Sequence, residues 1–216
     1  IIKKSQGNFM IYEVRTYDLH PRSLPEVIRR FGEGYGERKT LSEMAGFFYS
    51  EIGPLNQIVH IWPYEDLSER DRVRKESLSL KGWPPGIAEY IIRQTVEIYN
   101  PWPISPVLEA GDFGPFYEFR SYLVTIGQMR EYRSRWDTAL PERAKHSPVS
   151  VVMECDIGTA SKIMHIWPYK TLDERTKVRK HVEDTGVWPP KGDPILKILD
   201  LQENKIMLPA SFSPMQ

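Results

Sequence analysis

Hydrophobic and polar positions along this chain predict one order of elements, and predict it twice. Residues 10–19, MIYEVRTYDL, alternate at every step and are rich in β-branched and aromatic residues, which marks a strand. Leu24, Val27, Ile28 and Phe31 then recur at helical spacing behind Ser23-Leu-Pro-Glu26, a capping-box pattern that starts a helix. Residues 46–64, GFFYSEIGPLNQIVHIWPY, read as two strands around a turn at Gly53-Pro54-Leu55-Asn56. Asp66-x-x-Glu69 caps a second helix with a charged outer face. Trp83-Pro84-Pro85 is expected to end that helix, because proline has no amide hydrogen to continue the ladder. A last strand runs through YIIRQTVEIY at 90–99. Gly32, Gly34 and Gly36 follow the helical stripe, lack dinucleotide-loop spacing, and read as a helix terminus and turn.

The second half repeats this plan. HIWPYEDLSERDRVRK at 60–75 and HIWPYKTLDERTKVRK at 165–180 agree at eleven of sixteen positions, with an offset of 105. The same offset relates Glu13 to Glu118, Arg15 to Arg120, Tyr17 to Tyr122, Arg38 to Arg143 and Trp83 to Trp188. Near the unit ends Pro103-Ile104-Ser105 matches Pro209-Ala210-Ser211, at an offset of 106. The order β-α-β-β-α-β is the ferredoxin-like unit, a four-stranded antiparallel sheet with both helices on one face. The fold class is therefore α+β, with two tandem ferredoxin-like units at 10–110 and 115–214 behind a loose leader or expression remnant at 1–9. Packing their two open sheet faces together gives a barrel with helices outside, a pseudo-dimer within one chain.

Strand parity sorts the side chains, since neighbours point to opposite faces. The apolar sets are expected under the helices: Tyr12, Val14, Phe48, Val59 and Ile61, with Tyr117, Phe119, Met153, Met164 and Ile166. The alternate sets are then expected inside the barrel. They are Glu13, Arg15, Tyr17, Tyr49, His60 and Trp62 in the first unit, and Glu118, Arg120, Tyr122, Glu154, His165 and Trp167 in the second. Buried charges are costly unless paired, so a polar interior means either a paired network or a ligand pocket. His60 and His165 are the candidate catalytic groups, because imidazole can move a proton near neutral pH. Arg15 and Arg120 offer a fork for an anion. The stripe of Arg70, Arg74 and Lys75, with Arg175, Arg179 and Lys180, reads as a solvated, salt-bridged face.

Composition narrows the alternatives. Lys plus Arg and Asp plus Glu each total 29, so no net field draws the chain to nucleic acid or an anionic membrane. No apolar run reaches the length of a membrane span, and the first residues lack a signal-peptide core. The single Cys155 allows no internal disulfide and no cysteine metal cluster, which fits a cytoplasmic setting. No metal-site or nucleophile motif is present, so a metal is not expected.

The strand opening YEVRTY at 12–17, repeated as YEFRSY at 117–122, resembles the start of the NIPSNAP domain. So does HIWPY followed by LxERxxVRK, in both copies. The resemblance implies a dimeric α+β barrel, in agreement with the order above. It implies no settled reaction. The wider barrel group contains cofactor-free monooxygenases, isomerases and haem enzymes, and animal members of the family are mitochondrial and linked to protein interactions. Three functions follow as expectations. The first is a small-molecule barrel with a polar interior pocket for a flat anionic or aromatic compound, with a cofactor-free monooxygenase or isomerase as its enzyme version. The second is a protein-interaction module, and the third a haem-binding barrel. Whole barrels can further associate as homo-oligomers.

Overall fold

The structure is a computed structural model that describes residues 10–192 and 197–216; the expected leader at 1–9 lies outside them. In the first unit, β1 (Ile11–Leu19) pairs antiparallel with β3 (Gln57–Tyr64) on one side and β4 (Ile91–Pro101) on the other, while β2 (Gly46–Ile52) pairs with β3. Helices α1 (Leu24–Arg38) and α2 (Leu67–Ser77) connect them. The second unit repeats the plan with β5 (Phe116–Val124), α3 (Met129–Arg143), β6 (Val151–Ile157), β7 (Lys162–Tyr169), α4 (Leu172–Asp184) and β8 (Leu199–Pro209). Strand β2 pairs with β8 and β4 with β6, so the sheet closes in the order β1-β3-β2-β8-β5-β7-β6-β4. Among the described residues, closure leaves no strand edge open to a foreign chain.

The two faces of this sheet are the reverse of the sequence expectation. Tyr12, Val14, Phe48, Val59 and Ile61 pack with Tyr117, Phe119, Met153, Met164 and Ile166 in one core that draws on both units and on no helix. That core is the barrel lumen, and it is filled by apolar side chains. The Glu13, Arg15, Tyr17, His60 and Trp62 face lies instead beneath the helices: Phe31 of α1 sits 5.0 Å from the His60 ring, and Arg70 and Arg74 of α2 reach Glu13. The second unit is built the same way, with Tyr122, Tyr132, Trp136 and Trp167 in a helix-side core. Both faces of a closed, helix-covered sheet are buried, so alternation separates the two sets without saying which meets the helices.

Local chemistry explains the remaining departures. The second helices start as expected: Asp66 accepts from the Glu69 amide at 2.8 Å, and Thr171 from the Glu174 amide at 3.0 Å. Ser23 makes no such cap. Its hydroxyl donates to the His20 carbonyl at 2.7 Å, and the Glu26 carboxylate is held by Arg29 and Arg30. Helix α2 stops at Ser77, six residues before Trp83, so the Trp-Pro-Pro segment is a separate loop that folds back over the unit. Gly32, Gly34 and Gly36 lie within α1, not beyond its end. A Cβ on Gly34 would sit 2.5 Å from the Gly82 carbonyl, and one on Gly32 2.9 Å from Phe212. The missing side chains therefore admit neighbours to the helix surface. Tyr12 pairs with Tyr99 and Tyr117 with Met207, so the last strands correspond at an offset of 108, not 106.

That corrected offset exposes an exchange of tails. The segment after β4 leaves its own unit, and Trp102 packs 5.8 Å from Trp136 of α3. The Ser105 hydroxyl accepts from the Val152 amide at 2.8 Å. The segment after β8 returns the favour: Phe212 packs 4.9 Å from Phe47, and the Ser213 hydroxyl accepts from the Phe47 amide at 3.0 Å. Each unit's helix-side core is thus finished by the other.

Candidate functional site

Beneath the helices of the first unit lies a cavity of about 650 Å³. Strand β1 contributes Glu13, Arg15 and Tyr17, and β3 contributes His60 and Trp62. These five share a face because they fall at alternate positions on paired strands, with Glu13 opposite Trp62 and Arg15 opposite His60. Helix α1 adds Phe31 and Arg38, α2 adds Arg74 and Lys75, Trp83 and Pro84 cover one side, and Gln94 comes from β4. Sequence reasoning missed these helix, loop and β4 residues as site groups. Arg38 and Trp83 did carry a signal, since both keep the constant offset. The basic stripe also turns inward in part: Arg70 donates to Glu13, and Arg74 does so at 3.2 Å.

His60 is 1% exposed. Its Nδ1 accepts the Trp62 indole N–H at 2.6 Å, while its Nε2 has no partner. A neutral imidazole has one N–H and one acceptor nitrogen. Because Nδ1 accepts, the proton sits on Nε2. Burial holds the imidazole well below its ordinary pKa, and Arg15, Arg38 and Arg74 push the same way. His60 is therefore a neutral donor whose N–H is unsatisfied, a costly state for a buried group.

The charges around it are unequal in their pairing. Glu13, 1% exposed, receives Arg15 at 2.9 Å as well as Arg70 and Arg74. Arg15 also donates to the Tyr17 hydroxyl at 2.8 Å. Burial alone would lower the Arg15 pKa, but Tyr17 and Glu13 outweigh it and raise it. Arg38 is 2% exposed and has only neutral partners, Ser42 and the Tyr64 hydroxyl at 3.1 Å, with its guanidinium 4.3 Å above the Trp62 ring. Burial lowers its pKa. No carboxylate among the described residues pairs with it.

The second unit keeps the histidine but not its access. Trp167 donates to His165 Nδ1 at 2.6 Å, and His165 Nε2 again lacks a partner. Here Trp136 stands where the first unit has Phe31, with its ring 4.8 Å from His165. The cavity shrinks to about 410 Å³, lined by Arg120, Tyr122, Tyr132, Arg143, Arg179 and Trp188 among others. His165, Glu118, Glu154 and Trp167 are not on its wall. Glu118 is buried among Arg120, Arg175 and Arg179. Glu154 accepts from Arg133 at 2.5 Å and from the Trp102 indole at 3.3 Å. Tyr49 packs against the first helix-side core, away from the cavity.

The haem expectation fails on the donor set. An iron-binding Nε2 needs its lone pair, with the proton on Nδ1 and donated to an acceptor. Trp62 and Trp167 instead present donors to both Nδ1 atoms. Among the described residues no group of three or more His, Cys, Asp or Glu could hold a metal, and no helix is long and apolar enough to cross a membrane.

These features define a single-chain α+β barrel with a packed lumen and a cavity beneath each helix pair. The chain belongs to the NIPSNAP family, whose model matches it twice, at residues 12–106 and 117–214. The mouse protein NipSnap homolog 3B is 28% identical over 98% of this chain and 88% of its own length. The Dictyostelium discoideum NipSnap homolog is 42% identical over 40% of this chain and 39% of its own. A NIPSNAP-like domain structure from Burkholderia xenovorans is 38% identical, covers 47% of this chain and 93% of its own, and has a TM-score of 0.43. A Fusobacterium nucleatum protein provisionally described as a monooxygenase shares the fold, with a TM-score of 0.67 at 10% identity over 94% of this chain and 93% of its own.

Proposed function

We propose that the first cavity binds a small, flat anion, such as an aromatic carboxylate, a phenolate or an enolate. The observation that carries this reading is the buried His60 imidazole, a residue of the cavity wall whose Nε2–H has no acceptor. Arg38 supplies a buried positive charge without a counter-carboxylate, and Phe31, Trp62 and Trp83 supply apolar ring faces. The volume of about 650 Å³ suits a ligand of one to three rings. The same arrangement suits a cofactor-independent reaction through an enolate or phenolate. In such a reaction His60 stabilises the oxyanion by donation. It does not abstract a proton, because Nε2 already carries one and Nδ1 is engaged by Trp62.

The test is a fluorescence titration of the full chain with 1-hydroxy-2-naphthoate, and with neutral 2-naphthol as control. Saturable binding of the naphthoate is expected, weakened at least tenfold in His60→Phe and Arg38→Met, with the control binding more weakly than the anion. No saturable binding, or equal binding by both variants, would overturn the reading.

A further inference from the structure

We infer that the second cavity is a separate site for a compact tetrahedral oxyanion, a phosphate that is free or the head of a monoester. This inference does not depend on what the first cavity binds. Arg143 carries it. The side chain is 2% exposed, lines the cavity, and pairs with no carboxylate among the described residues. Its two terminal nitrogens are fixed by Ser147 Oγ at 2.8 Å and the Tyr169 hydroxyl at 3.4 Å, and its guanidinium lies 4.3 Å above the Trp167 ring. Its Nε–H is buried with no partner. An orphaned N–H on a buried, unpaired cation is a strong demand for an anion.

The rest of the wall agrees. Arg120 and Arg179 join Arg143 there, with Glu183 as the lining carboxylate. Both also face Glu118, which lies behind the wall and already receives Arg175 at 2.6 Å. The guanidinium charge is therefore not cancelled locally. Trp136 decides the shape of the ligand. Its indole occupies the place of the Phe31 phenyl, packs 4.7 Å from Trp188 and 4.8 Å from His165, and takes up room beside the imidazole that the smaller phenyl leaves open in the first unit. What remains is a smaller, arginine-rich space of about 410 Å³ from which the imidazole donor is excluded. Guanidinium forks match phosphate oxygens geometrically, which favours this anion over a flat ring.

The experiment is a calorimetric titration of the full chain with inorganic phosphate and with glycerol phosphate, against sodium chloride at matched ionic strength. One phosphate per chain is expected, with affinity reduced at least tenfold in Arg143→Met and unchanged in Arg38→Met. Should Arg143→Met fail to fold, Arg179→Met serves in its place, since Arg179 is 37% exposed and tolerates change. Tighter binding of glycerol phosphate than of phosphate would identify a monoester head; the reverse would identify the free ion. Heats that match the chloride control, or binding lost in Arg38→Met but kept in Arg143→Met and Arg179→Met, would overturn the inference. Failure of naphthoate to bind the first cavity leaves this outcome untouched.

Discussion

The Trp62 indole donates to His60 Nδ1 at 2.6 Å from two residues along the same strand. This bond fixes which nitrogen of the imidazole carries the proton. Replacing Trp62 by Phe removes the donor, so His60 will populate both tautomers. Imidazole ¹⁵N shifts in the native protein at pH 7 will report a single Nε2–H form, and in the variant a mixture. Urea unfolding will show a loss of about 3 kcal/mol, from the shrunken ring and the stranded acceptor.

His60 and His165 are both held neutral by burial. Their pKa values are lower in the folded chain than in the unfolded chain, so below about pH 6.5 the unfolded chain binds the extra protons. Stability is full above that pH and falls as the solution is acidified. Each histidine contributes a slope of up to about 1.4 kcal/mol per pH unit. Chemical denaturation between pH 4 and 7 will show this limb, and the double variant His60→Asn with His165→Asn will flatten it. An acid limb unchanged by the double substitution would show that the two rings titrate normally.

Glu13 and Arg38 share a cavity wall but should respond in opposite ways. Glu13→Gln leaves Arg15, Arg70 and Arg74 facing one another without their carboxylate, and should cost about 3 kcal/mol. Arg38→Met removes a buried cation that has no counter-charge, and in ligand-free protein should leave stability equal or higher by up to about 1 kcal/mol. Melting both variants beside the native chain settles the contrast.

Two glycines in one helix make a matched pair. A Cβ at Gly34 meets the Gly82 carbonyl at 2.5 Å, whereas one at Gly36 meets nothing within 4 Å. Gly34→Ala must push the Gly82–Trp83 backbone away and should cost about 2 kcal/mol. Gly36→Ala should stabilise by about 0.5–1 kcal/mol, because alanine is the better helix former and restricts the unfolded chain. Urea midpoints moving in the same direction would contradict the geometry.

The element order, the duplication and the grouping of Glu13, Arg15, Tyr17, His60 and Trp62 on one face were legible in the sequence. Each follows from local spacing. The direction of that face was not, because Val59 and Ile61 are as buried against the opposite sheet as they would be under a helix. Arg38, Arg74 and Lys75 were hidden for a related reason. A helical stripe shows which side of a helix is apolar, but not how the helix is rotated over a particular strand. Tyr49 lies on the His60 side of its sheet and still misses the cavity, since parity gives a face and no position along it. Only the three-residue slip before the last strand concealed the matching serines, Ser105 and Ser213.

The joining of both units in one chain has a consequence for heredity. Where two copies of one chain assemble a barrel, any codon change is written into both sites together. In this molecule both copies lie in one continuous polypeptide, so Phe31 and Trp136 are separate loci. One can drift toward an indole while the other stays a phenyl, and natural selection can keep one pocket while it rewrites the other.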